Sequence, residues 1–237
     1  HLRWIKEQPA GTQPEFAETG PQSYALEKMA WSKKDQGLEV RLSGRMERLG
    51  ILLSYFISPD GTVSARYDLQ DIPAGAPAEI GIAYELEDAA WIEWQRKGLW
   101  STYPDGHIGR LSGRAVLGSS AATAYREKPA GGWAMDAWDY FLQGFDRPEN
   151  TTESLSNDAR SLKENVYYYS VGFEEVPGRI IVEAGAVRAV RLKSVDGRRV
   201  RLIILTNWDY PDLGWGNRLR PFKLDENRTG SISIRLE

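Results

Sequence analysis

The residues best suited to chemistry lie between Thr206 and Asn217, in the stretch TNWDYPDLGWGN. Trp208, Tyr210 and Trp215 are flat aromatic rings, and Asp209 and Asp212 stand between them, with Asn207 before and Asn217 after. Aromatic faces stack against the apolar side of a pyranose, and planar amides and carboxylates take up its hydroxyls. Gly214 and Gly216 let the backbone turn close to a ligand. The same three oxygen donors could instead hold Ca²⁺, or the stretch could be an aromatic loop that closes the end of a β-layer. A second cluster is WQRKGLWSTYPDGHIGR, Trp94 to Arg110. It offers Trp100, Tyr103 and His107, which take second rank as sugar contacts. His107 as an acid or base needs a partner such as Asp105 or Glu93. Otherwise it fixes its own loop, with Arg96, Lys97 and Arg110 pairing to Asp105 and Glu93.

Other chemistries find little support. The chain has no cysteine and only two histidines, so a zinc site lacks ligands and no thiolate is available. No nucleophile elbow, phosphate loop or dinucleotide fingerprint is present. No two carboxylates stand out as a glycosidase pair. We therefore expect no catalytic residue, metal or cofactor in this chain. Asn150-Thr151-Thr152 and Asn227-Arg228-Thr229 match the glycosylation pattern only. The 30 basic and 33 acidic residues give a net charge of −3, which argues against a nucleic-acid partner. No run approaches the ~18 apolar residues of a membrane helix, and no basic-then-apolar leader opens the sequence. The sequence does not set the compartment, with a periplasmic or secreted bacterial setting slightly favoured.

The elements that must carry these residues read as strands. In ILLSYFISPDGTVSARYDL, two β-rich runs flank Pro59-Asp60-Gly61, a hairpin turn. Val63, Ala65, Tyr67 and Leu69 share one face of the second run. EIGIAYELE alternates through Ile80, Ile82, Tyr84 and Leu86. In AVRAVRLKSVDGRRVRLIILTN, Asp196-Gly197 marks another hairpin, and the arginines read as the solvent face of a half-buried sheet. AMDAWDYFLQGF is the best helix candidate. Residues 8–22 hold three prolines and two glycines, so 1–22 reads as a lead-in strap. Long loops are expected near 97–114, 126–165 and 207–228. At 237 residues this makes one all-β, antiparallel domain with few short helices.

Taken in order, WIEWQRKGLWSTYPDGHIGRLSG, SNDARSLKENVYYYSV and TNWDYPDLGWGNRLRPFKL resemble the C-terminal domain of glycoside hydrolase family 2 enzymes of the β-galactosidase type. SPDGTVSARYDLQDIP and EIGIAYELE resemble its preceding strands, and the likeness covers roughly residues 38–236. Gly98, Tyr103 and Asp105 match the pattern, whereas Leu99 and Ser101 replace a Pro and a Glu. The resemblance implies an antiparallel, galactose-mutarotase-like β-supersandwich. It also implies an accessory, non-catalytic role in carbohydrate metabolism. Such a domain helps shape the sugar cleft beside a TIM-barrel catalytic domain of the same parent chain, so carbohydrate and that barrel are the expected partners. The alternatives are a free-standing carbohydrate-binding or packing module, and a mutarotase- or epimerase-like enzyme using His107.

Overall fold

The computed structural model describes residues 1–5, 16–19, 23–73, 77–98, 110–117, 155, 157–196, 198–208 and 222–237. Among them the chain is antiparallel β-structure, with one helical turn, α1 (Asn157–Arg160). The strands are β1 (Leu2–Ile5), β2 (Phe16–Thr19), β3 (Tyr24–Lys34), β4 (Gly37–Met46), β5 (Leu49–Ile57), β6 (Thr62–Gln70), β7 (Pro77–Glu87) and β8 (Ala89–Arg96). They continue with β9 (Ser112–Val116), β10 (Val166–Phe173), β11 (Arg179–Glu183), β12 (Ala189–Ser194), β13 (Arg199–Trp208) and β14 (Thr229–Leu236). The chain forms two compact units, His1–Ala83 with Ile204–Arg235, and Tyr84–Ile203 with Leu236–Glu237. Strands β7 and β13 pass from one to the other.

In the first unit, β3-β4-β5-β6-β14 form one layer. Its inner face carries rows of side chains set by the register. One row runs Trp31, Val40, Tyr55, Ala65 and Ile232, and the next Met29, Leu42, Leu53 and Tyr67. The expected face of Val63, Ala65, Tyr67 and Leu69 is the inner one, and the last three are buried. At the predicted turn, Ser58 N–H donates to Thr62 O at 2.9 Å and Thr62 N–H to Asp60 Oδ1 at 3.0 Å. β1, β2, β7 and the end of β13 make the unit's other strands. The lead-in strap therefore differs from its expectation. Leu2–Ile5 and Phe16–Thr19 are strands, because β7 offers β1 a free edge and β1 offers one to β2.

In the second unit, β11-β10-β8-β9 form a layer. Trp94 lies within β8 and is 1% exposed. The Arg110 guanidinium and the buried Lys163 ammonium lie 4.9 and 4.4 Å from its ring centroid. Its Nε1–H donates to Arg110 O at 3.3 Å. Ser112–Arg114, expected at the end of a loop, belong to β9, which pairs with β8. The arginines near the 196 turn also depart from expectation: Arg191 and Arg201 are buried. Val200 and Leu202 beside Arg201 are buried too, so these strands are covered on both faces instead of one. Arg201 bonds Glu85 at 2.8 Å, the partner a buried cation requires. The helix candidate AMDAWDYFLQGF, Asn150 and Gly197 lie outside the described residues.

Asp196 fixes the β12–β13 hairpin. Its Oδ1 accepts the Arg198 and Arg199 N–H groups at 2.9 and 2.8 Å, and its Oδ2 accepts from Arg199 Nε at 2.7 Å. The two backbone donors, then the Arg199 side chain, hold its carboxyl down at about 2. An unfolded Asp titrates near ~3.9. The folded value is the lower one, so the hairpin's charge-assisted stability is complete above about pH 4 and is lost as pH falls towards about 2. Acid unfolding of wild type and Asp196→Asn should diverge across that window, the variant showing the shallower pH dependence.

Candidate functional site

A cavity of about 190 Å³ opens on the inner face of the first unit. Leu42, Ile51, Leu53 and Leu69 line it from one layer and Ile80 and Ile82 from the other. Tyr24, Tyr55, Tyr67 and His1 bring polar groups to it. Tyr67 Oη bonds Thr206 Oγ1 at 2.6 Å, and Thr206 Oγ1 donates in turn to Ile80 O at 3.2 Å. Two glycines seat the rings. A Cβ on Gly230 would strike the Tyr67 ring, and one on Gly44 would strike Ala25 O and the Tyr24 ring. Tyr24 Oη is buried, with no hydrogen-bond partner among the described residues.

Burial, then Tyr55 and Glu27, push the Tyr24 phenol up, and burial does the same at Tyr55. Both groups stay protonated at neutral pH. Each can then both donate and accept, as a sugar hydroxyl requires.

Beyond the cavity the same face runs into solvent. Leu26, Met29 and Trp31 on the edge strand β3 are 53%, 61% and 69% exposed. Trp31 stands in one row with Tyr55, two strands away, or about 9.6 Å at ordinary strand spacing. An indole and a phenol on one flat surface, beside tyrosine hydroxyls, make a stacking platform with polar groups at its edge.

On the neighbouring strands sits a closed charge cluster. His1 Nε2 and Glu79 Oε2 are 2.7 Å apart, both side chains are fully buried, and Arg3 Nη1 lies 3.7 Å from Glu79 Oε1. An imidazole beside a carboxylate is an acid–base pair by type; both side chains are buried, and His1 also lines the cavity. The pair's role is to tie β1 to β7.

Of the residues singled out from sequence, Trp208 is described. It ends β13, is half-buried, and by alternation shares a face with Thr206, whose hydroxyl helps hold the cavity wall. Its neighbour Asn207 donates to Asn227 Oδ1, and Asn227 Nδ2 donates to Lys223 O at 2.8 Å. The Asn227 amide nitrogen is thus engaged at the second glycosylation pattern. Asp209, Tyr210, Asp212, Trp215, Asn217, Trp100, Tyr103 and His107 lie outside the described residues, as does Asp105.

The sequence reading missed Trp31, Tyr24 and Tyr55. A bulge between Leu26 and Lys28 breaks the period of two in β3, so Leu26, Met29 and Trp31 share a face that simple alternation does not assign to them.

No protein-family model matches the chain, and no curated protein matches it. Among solved structures it is similar to a galactose mutarotase-like protein from Lactobacillus casei ATCC 334. The TM-score is 0.36 and the identity 9%, over 90% of this chain and 72% of that one. The all-β architecture rests on the strands themselves.

Tyr67→Phe removes the bond to Thr206 while leaving Thr206 its bond to Ile80 O. Urea unfolding should show a loss of about 1 kcal/mol, the usual worth of one such bond. An unchanged midpoint would mean that the ring alone does the work.

Proposed function

We propose that this chain is a non-catalytic carbohydrate-binding β-module, of the kind that follows the catalytic barrel in family 2 glycoside hydrolases of the β-galactosidase type. The observation that carries the sugar reading is the exposed Trp31 in one row with Tyr55, beside a cavity in which Tyr24 and Tyr55 remain neutral donors and acceptors. Trp208 adds support, since it ends β13 and directly precedes in sequence the aromatic and carboxylate-rich stretch Asp209–Asn217. The family assignment is supported by the order of the sequence motifs.

The non-catalytic part of the reading is supported by how four of the described carboxylates are engaged. Glu79 is enclosed with His1, Glu39 binds Arg41 at 2.7 Å, Asp88 binds Arg198 at 3.0 Å, and Glu85 binds Arg201 at 2.8 Å. A glycosidase instead needs two carboxyl groups facing each other across an open cleft.

A second reading has its own observation. Leu26, Met29 and Trp31 form an apolar edge of the kind that packs against another domain.

Titration with galactose, glucose, glucuronate and xylose separates the readings, followed by tryptophan fluorescence and NMR with anomer exchange monitored in the same tubes. Saturable binding without faster exchange is expected. Trp31→Ala should weaken that binding at least tenfold, about 1.4 kcal/mol. Accelerated anomer exchange would overturn the non-catalytic reading. Silence at millimolar sugar would leave the packing role.

A further inference from the structure

The opposite, outer face of the same layer carries a different chemistry. Alternation places Lys28, Arg41, Ser43, Leu52, Ser54 and Arg66 on it, around a groove of about 360 Å³. The register makes two rows. One runs Ala30, Arg41, Ser54, Arg66 and Ser231, and the other Lys28, Ser43, Leu52, Asp68 and Thr229.

The cations here are not equivalent. Arg41 is committed to Glu39, with Nε and Nη2 at 2.9 and 2.7 Å from Oε1. The side chains of Lys28 and Arg66 have no hydrogen bond or ion pair among the described residues, and both residues are exposed. The groove's one carboxylate, Asp68, is held by Gln70 Nε2 at 3.0 Å and faces Arg228 Nε at 3.6 Å. Its charge is therefore offset by a cation outside the two rows. The groove is left with positive charge at two places and with Leu52, 46% exposed, between the hydroxyl of Ser43 and Asp68.

We propose that this groove binds an acidic saccharide, a chain bearing uronate carboxylates, on the face of the layer opposite the neutral-sugar platform. The guanidinium of Arg66 offers a planar fork that fits a carboxylate, and Lys28 supplies a point charge for a second one. Leu52 gives the ring an apolar floor, and Ser43, Ser54 and Asp68 take hydroxyls. The choice of saccharide over other anions rests on the carbohydrate reading above. The choice of an acidic one rests on Lys28 and Arg66.

The test is calorimetric titration of the whole chain with tri-galacturonate and with neutral galactotriose. The proteins are wild type, the double variant Lys28→Gln/Arg66→Gln, and Trp31→Ala. Melting curves serve as the folding control, since both outer-face residues are exposed.

The expected result is saturable tri-galacturonate binding that weakens as salt rises, falls at least tenfold in the double variant and is unchanged in Trp31→Ala. Neutral galactotriose should follow the opposite pattern. Loss of the neutral ligand alone, with tri-galacturonate intact, would count against the inner-face platform and leave the outer groove standing. Equal tri-galacturonate affinity in wild type and double variant would overturn the proposal. So would equal binding of poly-glutamate, which carries carboxylates without sugar rings.

Discussion

The Tyr67 hydroxyl ties together the two β-layers of the first unit. It reaches from β6 to Thr206 on β13, and Thr206 passes the link to the backbone of β7 at Ile80. A tyrosine 3% exposed carries a polar group into an apolar core, so that group must be bonded or it costs stability. The bond fixes the ring, and Gly230 on β14 supplies the space the ring occupies. Once the ring is fixed, one wall of the cavity is set, and so is the point from which β13 runs on to Trp208.

The antiparallel register then separates two chemistries on opposite sides of one layer. Side chains alternate, so Tyr55 and Tyr67 face one side with Trp31, while Ser54 and Arg66, each one residue away on the same strands, face the other with Arg41. The inner face is apolar with neutral phenols, and its exposed end lies on the edge strand β3. The outer face is charged and partly neutralised by its own carboxylates. Such a layer can meet uncharged rings on one side and anions on the other without either surface disturbing the other.

Buried charge in the molecule is handled by enclosure with partners. Glu79 sits with His1 and Arg3, and Arg201 sits with Glu85. Lys163 lies over the Trp94 ring with its ammonium 2.5 Å from Ser161 Oγ, which combines a cation–π contact with a hydrogen bond. These groups hold strands together.

The sequence by itself determined the local β-structure. The Pro59-Asp60-Gly61 hairpin and the buried face of Ala65, Tyr67 and Leu69 were legible because turn chemistry and alternation act over a few residues. Compositional cues such as the aromatic content pointed towards sugar chemistry for the same reason, since each ring's surface belongs to its own side chain. Only the tertiary structure decided which aromatic rings share a surface. Trp31 and Tyr55 are 24 positions apart in sequence and meet through the register of an intervening strand, offset by a bulge. It also decided that Leu2–Ile5 is a strand and not a strap, and that Arg191 and Arg201 are buried. Whether an edge is free to pair, and whether a strand is covered on one face or two, depends on neighbours distant in sequence. No local pattern encodes those neighbours.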